Sequence, residues 1–195
     1  MSKSDAASQK RERNKTIRWV VTIFLVTIAV SGVISFLSEE IMAASTMPVA
    51  FLILLFIIVV GIVFDIIGVA VTSADEKPFH SMAARKVPGS QEAIRLLRNA
   101  GRVGSICNDV VGDICGVVSG AASATIAAQI VNNFSFTLPQ VISLVMSALA
   151  AGLTVGGKAI GKSFAIRSCT QIVHGTGRVI WFFRHIPQQL AGKKK

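Results

Sequence analysis

The chain has 195 residues, 52% of them hydrophobic and only 15% charged, with a formal net charge of +10. Soluble domains carry about 25% charge, so this composition excludes an ordinary soluble domain and indicates a membrane protein. The basic excess does not indicate nucleic-acid binding either, because Lys and Arg flank the apolar runs and Tyr is absent, leaving no aromatic-basic interleaving of the stacking kind.

In chain order, residues 1–18 form a basic tail holding Lys3, Lys10, Arg11, Arg13, Lys15 and Arg18. Trp19–Leu37 is the first apolar run. At about 1.5 Å rise per residue it just spans a hydrocarbon core about 30 Å thick. Met42-Ala-Ala-Ser-Thr is a weak processing site, so this run reads as a retained anchor and not as a secretory leader. A link with only Glu39 and Glu40 leads to the second run, Pro48–Ala74, whose Pro suits a first helical turn. The next link carries Lys77, Arg85, Lys86, Arg95, Arg98 and Arg102. Within it, Pro88–Arg102 is partly amphipathic, with Ile94, Leu97 and Gly101 on one side, and reads as a juxtamembrane helix lying in the interface. The third run, Val103–Val131, is rich in Gly, Ala and Ser. A short polar link, Asn132 to Thr137, joins it to the fourth, Leu138–Gly157. The region that follows is basic. Val179–Phe183, with Trp181 between Arg178 and Arg184, suits the headgroup level, and Lys193–Lys195 reads as a disordered tip of the tail 176–195.

The Lys/Arg distribution alternates at every step, so the positive-inside rule places both termini in the cytoplasm, with the plasma membrane as the expected location. The expected fold is all-α: a polytopic membrane bundle of four transmembrane helices with a juxtamembrane amphipathic helix.

Four ionisable residues lie in or at the edges of these runs: Asp65, Asp109, Asp113 and Lys158. An unpaired ion in hydrocarbon costs about 2.5–3.5 kcal/mol on insertion scales, so these residues mark either a functional site or an internal lock. Asp109 and Asp113 sit four residues apart and repel unless a cation, a proton or a base relieves them. Three readings stay open. With Asp65 and Ser105 they hold a hard cation such as Mg²⁺. Alternatively they pair with Lys158 and lock the bundle, or they are hydrated at the interface. For Asp65, two and a half turns from Ala74, the alternatives are a conduction role and a salt bridge to Lys158.

Gly112, Gly116, Gly120 and Ala124 form a small-residue stripe that permits close helix packing, with Gly152, Gly156 and Gly157 as a matching surface on the fourth run. Gly156 to Ser163 fits GxxxxGK[ST] letter for letter, but a phosphate loop needs a preceding strand. Nucleotide binding is therefore rejected, and the glycines are expected to break or kink the fourth helix. Cys107 and Cys115 read as small hydrophobes, and His80, His174 and His185 as surface residues. Ser and Asp residues without a matched His base do not make a hydrolase, so no enzyme is expected.

Three stretches carry a family resemblance: Phe64-Asp65-Ile-Ile-Gly68 running into Val71-Thr-Ser73, Glu92–Asn99 followed by Val103-Gly-Ser-Ile, and Gly157–Ala165. On these residues, 48–175 resembles the transmembrane domain of the CNNM/CorC magnesium and cobalt efflux family, leaving 19–37 as an extra crossing. The resemblance implies a dimeric bundle with a belt-like juxtamembrane region, handling Mg²⁺ or Co²⁺, with transport coupled to sodium. The family pattern has Glu where this chain has Lys158, Pro at Gly161, Ser at Asp65, and an Asn-x-x-x-Asn pair near Asp109 and Asp113. CBS domains follow in the family and are expected here only on a separate regulatory subunit. The expected function is a divalent-cation transporter-like membrane protein with Asp65, Ser105, Asp109 and Asp113 as metal residues and Lys158 as charge partner. The alternative is a non-transporting structural or partner-binding protein with a Lys-Asp locked bundle. The lipid bilayer is the common partner, and no nucleic acid or nucleotide is involved.

Overall fold

The computed structural model describes residues 3–134 and 138–191. Residues 135–137, the second half of the expected polar link, and the Lys193–Lys195 tip lie outside the described residues, as do the side chains of Lys3, Lys10, Arg11 and Lys15. All regular structure among the described residues is helical. In order these are α1 (Lys3–Ala43), α2 (Met47–Ser73), α3 (Lys77–Ala84), α4 (Ser90–Arg98), α5 (Ala100–Ser105), a π-helical turn (Ile106–Gly112), α6 (Asp113–Phe134), α7 (Pro139–Arg167) and α8 (Cys169–Ala191).

Four helical stretches are long and apolar enough to cross a membrane: Thr16–Met42, Met47–Ser73, Ala100–Asn133 and Pro139–Arg167. The chain is therefore an integral membrane helical bundle. A helix satisfies its own backbone hydrogen bonds, which is what a hydrocarbon environment requires. α1 is continuous from Lys3, so the helix begins in the expected N-terminal tail and runs on through the first crossing. The glycines near residue 157 do not break the fourth crossing either: α7 runs on to Arg167. Gly is well tolerated in membrane helices, and the whole GxxxxGK[ST] match lies on helix, without the strand a phosphate loop needs.

α2 is the hub of the bundle. Its partners on the third crossing run in opposite order: Gly61 lies against Cys115, Gly68 against Asn108, and Thr72 against Gly104. These two rods are antiparallel. α7 runs the same way as α2, with Gly157 on Ile62 and Gly161 on Ile66. α1 leans mainly on α6 and barely touches α2. None of its most apolar window is buried. Its firm attachment is near one end, where Met42 is buried with Ala122 and Ile126 and Gln129 donates from Nε2 to the Met42 carbonyl at 2.9 Å.

Two apolar clusters fill the interior. One holds Met42, Ala50, Leu54, Ile58, Ala122 and Ile126. The other, at the Arg-rich end, holds Ala70, Val71, Phe79, Ala93, Ala165 and Val173. Asp65 falls between them along α2. The juxtamembrane helix forms as expected, but as α4, ending at Arg98, followed directly by α5. Ile94 and Leu97 are half-buried, Gly101 is exposed, and Arg95, Arg98 and Arg102 are exposed. α8 runs unbroken through residue 175.

Candidate functional site

α2 carries Asp65 on the same face as Gly61 and Gly68, four residues before it and three after, which is the spacing of one helix face. That face meets the π-helical turn. A π turn holds about one residue more than an α turn, and such single-turn bulges collect at functional sites. One extra residue rotates everything beyond it by about 100°. Asn108 and Gly112 meet α2 here, Cys107 is buried, and Asp109 and Asp113 are exposed.

The inward set makes a small polar layer. Lys158 reaches from α7 to place Nζ 3.8 Å from Asp65 Oδ1, and it donates to the Gly112 carbonyl at 3.4 Å. The Asp65 side chain is only 5% exposed and that of Lys158 20%. Two further oxygens, Asp65 Oδ2 and Asn108 Oδ1, are buried without a hydrogen-bond partner. Two glycines line this layer at close range. A methyl group on Gly68 would overlap the Asn108 amide, and one on Gly112 would stand 3.2 Å from Lys158 Nζ. At Gly68 the Asn108 amide would have to shift, and at Gly112 the Lys158 ammonium would have to give by a few tenths of an ångström.

The ion pair has the lock geometry that sequence left as one alternative for Asp65. Removing one partner of a buried pair costs about 3–5 kcal/mol, because it strands the other charge. The layer also has spare capacity. An ammonium offers three donors, while the layer presents four oxygens: both from Asp65, one from Asn108 and the Gly112 carbonyl. The unpaired two are an energetic debt of about 1–3 kcal/mol each unless a further donor or a cation fills them.

The expected metal residues therefore separate. Asp65 and Lys158 come together. Ser105 is half-buried, one turn before the layer on the same rod, and its side chain has no hydrogen bond. Asp109 and Asp113 are exposed, and neither pairs with Lys158, whose ion pair is with Asp65. Among the described residues, no three of His, Cys, Asp and Glu gather in a metal-holding group. Asn108 was missed by the sequence reading. Its signal was a lone amide inside an apolar run, set beside the more conspicuous Asp109.

The small-residue stripe is also redistributed. Gly112 is part of the layer, but Gly116, Gly120, Gly152 and Gly156 have open space around them. Close packing falls instead on Gly61, Gly68, Gly104, Gly157 and Gly161. Cys107 is buried, Cys115 and Cys169 are half-buried, and all three are free thiols. His80 is exposed, while His174 and His185 are half-buried and contact the Pro88 and Trp181 carbonyls. No protein-family model, curated protein or solved structure matches this chain.

Proposed function

We propose that this integral membrane protein handles a cation at the Asp65–Asn108–Gly112 layer, as a divalent-cation transporter-like protein in which the Lys158 ammonium stands where an ion would bind. The reading is non-enzymatic. The observation that carries it is the pair of buried, unpartnered oxygens beside an ammonium. Oxygen ligands without donors suit a hard cation such as Mg²⁺, which keeps several waters and takes only one or two carboxylates. An intramembrane charge is by default a functional position. In this scheme Lys158, on a flexible four-carbon stem, leaves Asp65 as the ion enters and returns as it departs. With Mg²⁺ in place of the ammonium the layer carries one net positive charge, which the return of Lys158 on ion departure removes.

A second reading has its own support. The Asp65–Lys158 pair is already formed, and Asp109 and Asp113 do not join it, which suits a non-transporting bundle locked by one ion pair. Reconstitution separates the two. Mg²⁺ uptake into vesicles, with isothermal binding on the purified protein, is expected to be saturable and to fall at least tenfold in Asp65→Asn. No uptake or binding in the wild type, with only a loss of thermal stability in the variant, sinks the transport reading and leaves the lock.

Two further parts belong to the proposal. The chain assembles as a homodimer through the outward side of the third crossing, where Asp109 and Asp113 continue into Gly116 and Gly120. Asp109 adjoins Asn108, which meets Gly68, and exposed Lys162 adjoins Gly161, which meets Ile66. These opposite charges thus lie at nearly one height on different helices. A twofold partner can pair them. The Lys/Arg pattern orients both termini to the cytoplasm of a plasma membrane, and any regulatory domain acts as a separate subunit.

A further inference from the structure

α8 begins one residue after α7 ends, at the end of the bundle that carries Arg98, Arg102 and Arg167. One of its faces is pinned to the rest of the protein. Val173 is fully buried. Gly177 packs so closely on the turn before α4 that a Cβ would stand 2.5 Å from the Gly89 carbonyl and 2.9 Å from the Ala93 nitrogen. Gly89 itself has φ of 85°, which glycine adopts without cost. His174 Nε2 lies 3.3 Å from the Pro88 carbonyl.

The other face is open and has a definite pattern. Val179, Ile180, Phe182 and Phe183 are 55%, 38%, 58% and 68% exposed. At about 100° per residue they cover a sector about 160° wide, with Ile180 at the border nearest the buried Val173, and Gly177 about 60° beyond that border. Arg178 and Arg184, both exposed, lie about 40° outside its two borders on the same projection, Arg184 on the side of Gly177 but about two turns further along the helix. Among the described residues, Arg102, Lys162, Arg167, Arg178 and Arg184 have no carboxylate partner. The nearby carboxylates are engaged elsewhere: Glu76 with Arg98 and His80, Glu92 with Arg95.

We infer that the outer face of α8 is a binding surface for anionic phospholipid, with Val179, Ile180, Phe182 and Phe183 among the acyl chains and Arg178 and Arg184 on headgroup phosphates. An apolar sector bordered on both sides by Arg is the arrangement of a helix lying at a headgroup boundary, and Arg reaches outward from such borders along its apolar stem. The unpaired positive charge at this end makes the preferred lipid anionic. Four apolar crossings ending at the same place bring the bilayer to it. The inference does not depend on any cation being handled at Asp65.

The test is amide hydrogen exchange across residues 176–185, in the full chain in nanodiscs of phosphatidylcholine alone and of phosphatidylcholine mixed with phosphatidylglycerol. Exchange is expected to be about tenfold slower in the mixed discs, with the difference lost in high salt. Arg178→Gln with Arg184→Gln should abolish the difference between lipids while leaving exchange in the α2 core unchanged. Phe182→Ser with Phe183→Ser should speed exchange of α8 in both. Equal exchange in the two lipids overturns the inference. So does protection that rises with the number of chains per disc at fixed lipid composition, because the face would then belong to a protein contact.

Discussion

Asp65 and Asp113 are the same side chain, each well inside a membrane-length helix, yet they live in different surroundings. Asp65 is buried, faces an ammonium and sits between two glycines that let the neighbouring rod come close. Asp113 stands one position beyond Gly112 and is exposed, without an ion-pair partner among the described residues. The difference teaches that position along a crossing does not decide the fate of a charge. Rotational phase decides it: Asn108 and Gly112 take the face toward α2, and Asp109 and Asp113, one position further on, are exposed.

The comparison can be broken most sharply at the ion pair. Lys158→Ala or Asp65→Ala is expected to cost about 3–5 kcal/mol in detergent unfolding. Joint replacement, Asp65→Leu with Lys158→Met, should recover most of that loss. A double variant no better than the singles would mean that the layer does not act as a pair. Next in size is the glycine contrast. Gly68→Ala forces Asn108 aside at about 1–3 kcal/mol, whereas Gly120→Ala meets open space and should gain up to about 1 kcal/mol of helix propensity. Equal effects on melting temperature would show that the two sides of the third crossing are equally packed.

The smallest effect on stability is expected on the outward side. Asp109→Asn and Asp113→Asn should each change unfolding by less than about 0.5 kcal/mol. Association is the sharper readout there. In a background with Cys107, Cys115 and Cys169 replaced by Ala, Gly120→Cys should cross-link between copies in membranes, and Gly32→Cys should not. Charge reversal at Lys162 should weaken the cross-link, and reversal at Asp109 in the same chain should restore it. Absence of any Gly120→Cys cross-link removes this face as a dimer surface.

Much of the architecture was legible because apolar run length is a strong signal. The ends of the second crossing differ by one residue from those read from Pro48–Ala74. The juxtamembrane helix and the importance of Asp65 and Lys158 were legible for the same reason, since charges in apolar runs stand out. The rest depends on quantities that a linear pattern does not carry. Nothing in Ile106-Cys-Asn-Asp-Val-Val-Gly112 announces a π turn, and the sequence left Asp109 and Asp113 open between a cation site, pairing with Lys158 and hydration, while Asn108 was overlooked. Gly156 and Gly157 looked like a break because glycine is a poor helix former in water. In α7 it continues the helix and admits Ile62. The stripe Gly112–Gly120 signalled close approach correctly as a chemistry, but only its first member meets another helix of the same chain.

The solitary packing of α1 bears on how the protein enters a membrane. Trp19–Leu37 contains no ionisable residue and contributes almost nothing to the interior. Its partition into lipid can be completed before the remaining chain emerges from the ribosome. Each later segment bears a charge that hydrocarbon resists, and Asp65 and Lys158 relieve one another across more than ninety residues of sequence. The first segment can thus settle alone and set the orientation, while α2 has to wait for α7 before its own insertion becomes favourable.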